Sequence, residues 1–388
     1  MAEYRYLIVG GGMTGDAACR GIRDHDPDGT IGLVGAEPHA PYQRPPLTKG
    51  LWTGMEEAKI WRGTEAFGVD LHLGRRIAAL DLEDRVARDD AGEEHRYEKL
   101  LLATGGRPRT LPSGDAGVVY YRTLDDYRRL RTIAEARGRI VVVGGGFIGS
   151  EIAAALAQNG CSVTMIFPED GIGARIFPAD LSASVTGYYR EKGVEVLTGD
   201  TVSAIAYGAV RTAGGATLQA DAVVAGLGIV PNDELAREAG LPVADGILVD
   251  EHGRVDGRDD VFAAGDVARF PAPLLGKTLR IEHEDHANSH GRAVGANMAG
   301  AAEPYDHQPF FYSDLFELGY EAVGDTDARL ETLAEWAEPY RKGIVAYLDA
   351  ERRPRGFLLW DVWGKVDAAT ELIAAGEPVD TQAVRALL

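Results

Sequence analysis

Two copies of one glycine spacing, each standing between a strand and a helix, constrain this chain more than any other feature. The first is Gly10, Gly12 and Gly15 in YLIVGGGMTG; the second is Gly144, Gly146 and Gly149 in VVVGGGFIGS. In G-x-G-x-x-G the first glycine allows a tight strand-to-helix turn and the second lets backbone N–H groups approach a pyrophosphate. The third lets the helix pack close on its strand. One such loop is a weak signal. Two, each in strand–loop–helix context, predict two dinucleotide sites at the C-terminal ends of parallel strands.

The residues around the loops extend this reading. A helix is expected over residues 16–22 and a second strand over 30–34, with Glu37 just beyond it, where an acid accepts from an adenosine ribose. Glu169 holds the same place after a strand expected over 162–167. A carboxylate there accepts from a free 2′-hydroxyl and repels a 2′-phosphate, so NADH is expected over NADPH, with Arg175 close enough to soften the preference. A strand over 99–103 runs into Thr104-Gly105-Gly106, and Asp266 ends an apolar strand begun at Val261. Asp266 reads either as a ligand at that sheet edge or as a helix N-cap. The run Arg44-Pro-Pro-Leu-Thr-Lys49 is stiff, because each proline fixes its φ. It holds Arg44 and Lys49 in set positions. Glu151 is expected on the first turn of a helix over 150–159. The helix dipole explains a carboxylate there, and a buried pair with Lys49 explains it equally. Residues 69–73, 77–80 and 85–88 read as a small antiparallel ribbon. From residue 304 the character changes to strands over 343–348 and 356–360 with helices over 366–375 and 380–387.

Bulk composition removes several function classes. The 388 residues carry a formal net charge of −20, which repels phosphate backbones and makes nucleic acid an unexpected partner. An acidic redox protein would need a local basic patch to dock. No apolar run approaches the ~20 residues of a membrane span, and the N-terminus reads as a strand, so a cytoplasmic protein is expected. Cys19 and Cys161 have no metal or redox spacing and read as core thiols. His283, His286 and His290 lack an acidic ligand set, and no metal is expected.

The two loops, RPPLTK, ATGGRPR and VFAAGDVARF together resemble the two-dinucleotide-domain flavoprotein disulfide-reductase superfamily. RPPLTK and GGGFIGSE resemble its branch of NADH-dependent ferredoxin reductases of oxygenase systems and apoptosis-inducing-factor flavoproteins. FPEDGIGARIFPADLS, RIEHEDHANSHGRAVGANM, PYDHQPFFYSDL and KGIVAYLDAERRPRGFLLWDVWGKV are closer to the latter. The resemblance implies an α/β chain with two doubly wound Rossmann-like domains and a C-terminal α+β domain. Its segments would be 1–116 and 241–304 for FAD, 117–240 for NAD(H), and 305–388 at the C-terminus.

The resemblance implies that the first loop binds FAD, with Glu37 on the ribose, Gly265 and Asp266 at the ribityl–pyrophosphate stretch, and Arg44, Thr104, Gly105 and Arg109 lining the site. Gly144, Gly146, Phe147 and Gly149 would bind NADH, with Glu169 on its ribose and Gly228 near the nicotinamide. Phe147 would have to move to admit that ring. Met13, Ile77 and Ile148 complete the cofactor-binding set. Lys49 and Glu151 would be the catalytic pair near flavin N5, and Glu282, His283 and Tyr312 would pack around the rings. Tyr312 stands where a tryptophan is usual, a smaller stacking surface. Disulfide-using members carry a cysteine near the flavin, and residues 38–49 hold none. The implied activity is therefore FAD-dependent NADH oxidation with electrons leaving to a separate acceptor, a ferredoxin-type iron–sulfur protein, without a redox-active disulfide. An NADH oxidase or quinone reductase, or a slow redox-responsive binding protein, are the alternatives. A homodimer is admissible.

Overall fold

The computed structural model describes residues 2–112, 117–206 and 208–388. The boundary expected at 116 lies outside the described residues. The chain divides into two compact units: 1–44, 56–107 and 230–309 form the first, and 45–55, 108–229 and 310–388 the second.

The first unit is built on β1 (Ala2–Val9), which runs into the first glycine loop and α1 (Met13–His25). β2 (Ile31–Gly35) and β3 (Val69–Leu73) follow, then β4 (Ile77–Asp81), β5 (Val86–Asp89) and β6 (Glu94–Leu102). The sheet order is β3-β2-β1-β6-β5-β4, with the strand Val261–Ala263 also paired to β6. β3 runs parallel to β2, in register from Ile31 opposite Val69. Only β4, β5 and the start of β6 form the expected antiparallel ribbon. Short alternating runs do not disclose their partner, and β3 took the open edge of the parallel sheet. Leu7 and Ile8 point to opposite faces and are both fully buried, each contributing roughly 1.5–3 kcal/mol. The helix Glu284–Met298 crosses α1 at backbone contact. A Cβ on Gly21 would stand 2.0 Å from the Arg292 carbonyl oxygen, and one on Gly295 would stand 2.2 Å from that of Ala18.

The second unit contains α2 (Leu124–Glu135), opened by a Thr123–Asp126 capping box, and α3 (Phe147–Gln158). Its five-stranded parallel sheet has strand Arg139–Val143 at the centre, flanked by Ser162–Phe167 and Ala222–Ala225. The C-terminal segment forms an antiparallel five-stranded sheet in which Phe310–Leu315 pairs with Leu318–Gly324 at one side. Helices Val366–Ala375 and Thr381–Arg385 complete it. Residues 45–55 are tied into this unit. Tyr121 donates to the Leu47 carbonyl, Tyr127 to that of Leu51 at 3.1 Å, and Trp52 stacks edge-on against Tyr127 at 5.4 Å.

Candidate functional site

Both glycine loops take one backbone solution. Gly10 and Gly144 have φ of +133° and +117°, and a Cβ on either would lie 2.0 Å from the Ala103 oxygen or 2.3 Å from the Gly226 oxygen. A Cβ on Gly15 or Gly149 would meet the carbonyl oxygen of Gly10 or Gly144 at 2.1 or 2.0 Å. These four positions admit only glycine. Gly12 and Gly146 differ: no atom lies within 4 Å of their built Cβ. Each is the N-cap of its helix without a side-chain cap. The open space and the uncapped first-turn N–H groups fit an incoming diphosphate. α1 and α3 start at Met13 and Phe147, inside the loops, earlier than the sequence suggested. Glu151 is therefore on the second turn of α3, and the dipole explanation expected for it weakens.

In the first unit, Glu37 follows β2 and is clasped. Tyr42 donates to Oε2 at 2.6 Å and Arg44 to Oε1 at 2.5 Å. The Arg44 amide reaches the Met13 Sδ at 3.4 Å. Glu37, Tyr42, Arg44 and Met13 thus stand together beside the first loop. Each carboxylate oxygen keeps a lone pair for a hydroxyl donor. Thr104 donates to the Asn232 carbonyl at 2.7 Å, and the Asn232 side chain returns a bond to the Thr104 carbonyl at 2.9 Å. Gly105 accepts from the Asn232 amide at 2.9 Å. Gly265 has φ +72°, and a Cβ there would strike Thr14. Asp266 lies within the short turn Gly265–Val267, not at its N-cap, which is Ala264. Arg280 bridges the Asp266 carbonyl (3.2 Å) to Glu282 (2.8 Å). His283 is the N-cap residue of helix Glu284–Met298. Desolvation pushes its imidazole down to about 4, against the pull of Asp266 and Asp285. His286 and His290 pack in an aromatic cluster with Phe270 and Tyr305. The Ile77 side chain is 5% exposed and packs with Leu7 and Val34 in the core, leaving its backbone as the part that can meet a ligand.

In the second unit, Lys49 and Glu151 meet. Lys49 Nζ lies 2.5 Å from Glu151 Oε1, and the carboxylate is 6% exposed. Thr48 donates to Oε2 and Ser313 to Oε1, each at 2.6 Å. Lys49 also lies 3.6 Å from Asp314 and 5.2 Å from the Tyr312 ring centre. Alternation along one strand explains the set: Ser313 is fully buried, while Tyr312 and Asp314 face outward. Phe147 packs edge-on against Phe311 at 5.0 Å, and Ile148 beside it is 38% exposed. Glu169 pairs with Arg175 at 2.7 Å, Arg175 being 85% exposed. Gly228 has φ +80° with open space around its Cβ position, and its carbonyl accepts from the Arg109 amide at 2.9 Å. Sequence reasoning missed Thr48, Ser313, Tyr42 and Asn232. Thr48 was legible as the neighbour of Lys49. The others act through pairings that no local pattern announces.

Three comparisons bear on this arrangement. Residues 4–291 match the family described as pyridine nucleotide-disulphide oxidoreductase. Residues 294–339 match the C-terminal region of mitochondrion-associated apoptosis-inducing factor. The chain is 35% identical to the ferredoxin–NAD(+) reductase component of an anthranilate 1,2-dioxygenase system from Burkholderia cepacia, over 98% of this chain and 97% of that one. It is 33% identical to apoptosis-inducing factor 1, mitochondrial, from Dictyostelium discoideum, over 96% of this chain and 78% of that protein. Its fold matches the crystal structure of a covalent putidaredoxin reductase–putidaredoxin complex with TM-score 0.92 and 30% identity, covering 99% and 96% of the chains.

Proposed function

The chain belongs to the pyridine nucleotide-disulphide oxidoreductase family, as an FAD-dependent NAD(P)H oxidoreductase of ferredoxin-reductase type, and from that premise we propose that NADH is its electron donor and a ferredoxin-type iron–sulfur protein its acceptor. The observation that carries the outward route is the state of the thiols. Cys19 and Cys161 are both free and buried, and burial pushes both above the ordinary thiol range. Neither can relay electrons as a thiolate.

Bound FAD supplies the conversion of a two-electron donor to one-electron delivery. The protein's part is to bind, orient and hold charge. Gly12 and the N-terminus of α1 would take the FAD diphosphate, and Glu37 would accept from the ribose. Gly146 and α3 would take the NADH diphosphate. Glu169 would accept from a free 2′-hydroxyl, which favours NADH. Phe147 would swing from Phe311 to admit the nicotinamide. Lys49, held by Glu151, is the fixed positive charge for the electron-transfer step. An open groove lined by Arg20, Arg62, Arg292, Gln43, Trp61 and Asn288 gives an acidic chain a locally basic patch. Its charge is tempered by Asp16, which binds Arg20 and Arg62, and by Asp24, which binds Arg292. Three arginines against these two carboxylates leave the groove one net positive charge, which an acidic partner would meet.

Anaerobic stopped-flow tests the reading. NADH bleaches the bound flavin faster than NADPH, and among ferredoxin, quinone and oxygen the ferredoxin reoxidises it fastest. A persistently oxidised spectrum under excess NADH overturns the donor; quinone or oxygen outpacing every ferredoxin overturns the acceptor. The match at residues 294–339 favours one second reading, a slow redox-responsive binding protein. A change of mass or shape with NADH supports it, and none counts against it.

A further inference from the structure

Away from the glycine loops, the turn joining β5 to β6 gathers Asp89, Glu93 and His95. One ligating atom from each lies within 4.8 Å of the others. Asp89 is 3% exposed and His95 fully buried, while Glu93 is exposed. The turn itself orients Asp89: its Oδ1 accepts from the amides of Ala91 at 3.0 Å and Glu93 at 2.8 Å. That leaves Oδ2 with no hydrogen-bond partner, and neither ring nitrogen of His95 has one. Nε2 of His95 stands 3.7 Å from Asp89 Oδ2, too far for a hydrogen bond. Buried polar atoms left in this state are costly, and an ion between them is one remedy.

We propose that Asp89, Glu93 and His95 form a binding site for a late first-row divalent cation, with zinc as its representative. One imidazole and two carboxylates suit zinc and its neighbours better than calcium or magnesium, which prefer oxygen alone. Arms of about 2.0–2.2 Å place tetrahedral ligand atoms roughly 3.4 Å apart. From a spacing of at most 4.8 Å the cluster needs closure by up to about 1.4 Å, and the Glu93 side chain, on the exposed turn, can move. The His72 ring packs edge-on at 4.8 Å but is held by the Tyr4 hydroxyl at 2.8 Å. The half-exposed Arg75, 4.0 Å from Asp89, yields to a bound dication by turning into water. Sequence reading looked for metal spacing among the cysteines and the 283–290 histidines and so passed over this turn. The bound ion would tie the end of β5 to the start of β6 across their turn.

The test is calorimetric titration of zinc chloride into chelator-washed, flavin-loaded protein, with cobalt absorbance as a second readout. One equivalent binds saturably, Glu93→Gln weakens it by at least about tenfold, and His95→Gln abolishes it along with the cobalt spectrum. No saturable equivalent, or unchanged affinity in Glu93→Gln, overturns the proposal. Because Glu93 is exposed, that variant folds and decides the matter even where His95→Gln does not.

Discussion

The two glycine loops share a backbone and differ in what surrounds the acid that follows each. Glu37 is gripped by Tyr42 and Arg44 at 2.6 and 2.5 Å, and Arg44 is in turn held to Met13 in the loop itself. Among the described residues, the Glu169 side chain is paired with Arg175, which is 85% exposed. The first acid is preorganised, the second adjustable. Preorganisation lowers the ordering cost of binding and lengthens residence. The contrast suits one nucleotide that stays and one that exchanges.

The strongest challenge to this contrast is at the glycines that face open space. Gly10→Ala is a control that should fail outright, since its Cβ would stand 2.0 Å from the Ala103 oxygen at φ +133°. Gly12→Ala meets no protein atom within 4 Å and should fold, yet its methyl would occupy the approach proposed for the diphosphate. Flavin content after gel filtration should fall below about a tenth of the parent, a loss of roughly 1.4 kcal/mol or more in retention. Gly146→Ala should keep its flavin and raise KM for NADH by about tenfold. Flavin loss in both variants would erase the distinction between resident and exchanging sites.

Within the second unit, the buried Lys49–Glu151 pair and the exposed Arg175–Glu169 pair form a second contrast. Removing one donor from a buried carboxylate typically costs about 1–3 kcal/mol. Ser313→Ala should therefore slow flavin reduction by roughly 5- to 150-fold and shift the flavin potential. Ser313→Thr, which keeps the hydroxyl, should recover part of the rate. An unchanged rate and potential in Ser313→Ala would remove Ser313, and the bond it makes to Glu151, from the chemistry.

Acid separates the units in another way. His283 and His290, in the first unit, are pushed down to about 4 and about 3 by burial. Unfolded histidine binds its proton near 6.5, so it takes protons the folded state refuses. The stability present above about 6.5 is lost progressively as pH falls toward 4 for His283 and toward 3 for His290. In the second unit, Glu317 and Asp221 are lowered to about 2, chiefly by hydrogen bonds from Lys192 and Arg139. Their contribution is present above about 4.5 and is lost only as pH falls toward 2. Flavin release should therefore begin between pH 6.5 and 4, before the near-ultraviolet signal of Trp360 in the second unit changes. Simultaneous loss of both signals near pH 3 would contradict this order.

The sequence exposed those parts of the molecule whose chemistry is local. Both glycine loops, their strands and the α/β class with an α+β tail were readable because turn sterics leave no other residue at Gly10 or Gly144. The Lys49–Glu151 pair could be raised from residue types but not chosen over the helix-dipole reading of Glu151, because no periodicity joins residues a hundred positions apart; the resemblance alone favoured it. The β3 error has the same origin, since a five-residue alternating run fits an edge of either kind of sheet. Ser313 and Asn232 were invisible because small polar residues gain their meaning from a partner set by the fold. The helix starts were misplaced by three residues at each loop, because glycine scores poorly for helix while an uncapped N-terminus is what an anion site needs.

The finest distinction lies at Glu169 and Arg175. If the carboxylate rejects a 2′-phosphate, Glu169→Gln should raise the NADPH-to-NADH ratio of kcat/KM by about tenfold, equivalent to 1.4 kcal/mol. It removes the repelling charge and releases Arg175 to meet the phosphate. Arg175→Ala should act in the opposite direction and less strongly. The pair is exposed on the arginine side, where such bridges contribute about 0.2–1 kcal/mol, so the ratio should fall by no more than about fivefold. Flavin content should be unmoved in both, because neither residue belongs to the first unit. A larger effect for Arg175→Ala than for Glu169→Gln would mean that the arginine, and not the acid, sets the nucleotide preference. The adjustable member of the two nucleotide sites would then be tuned by attraction rather than by exclusion.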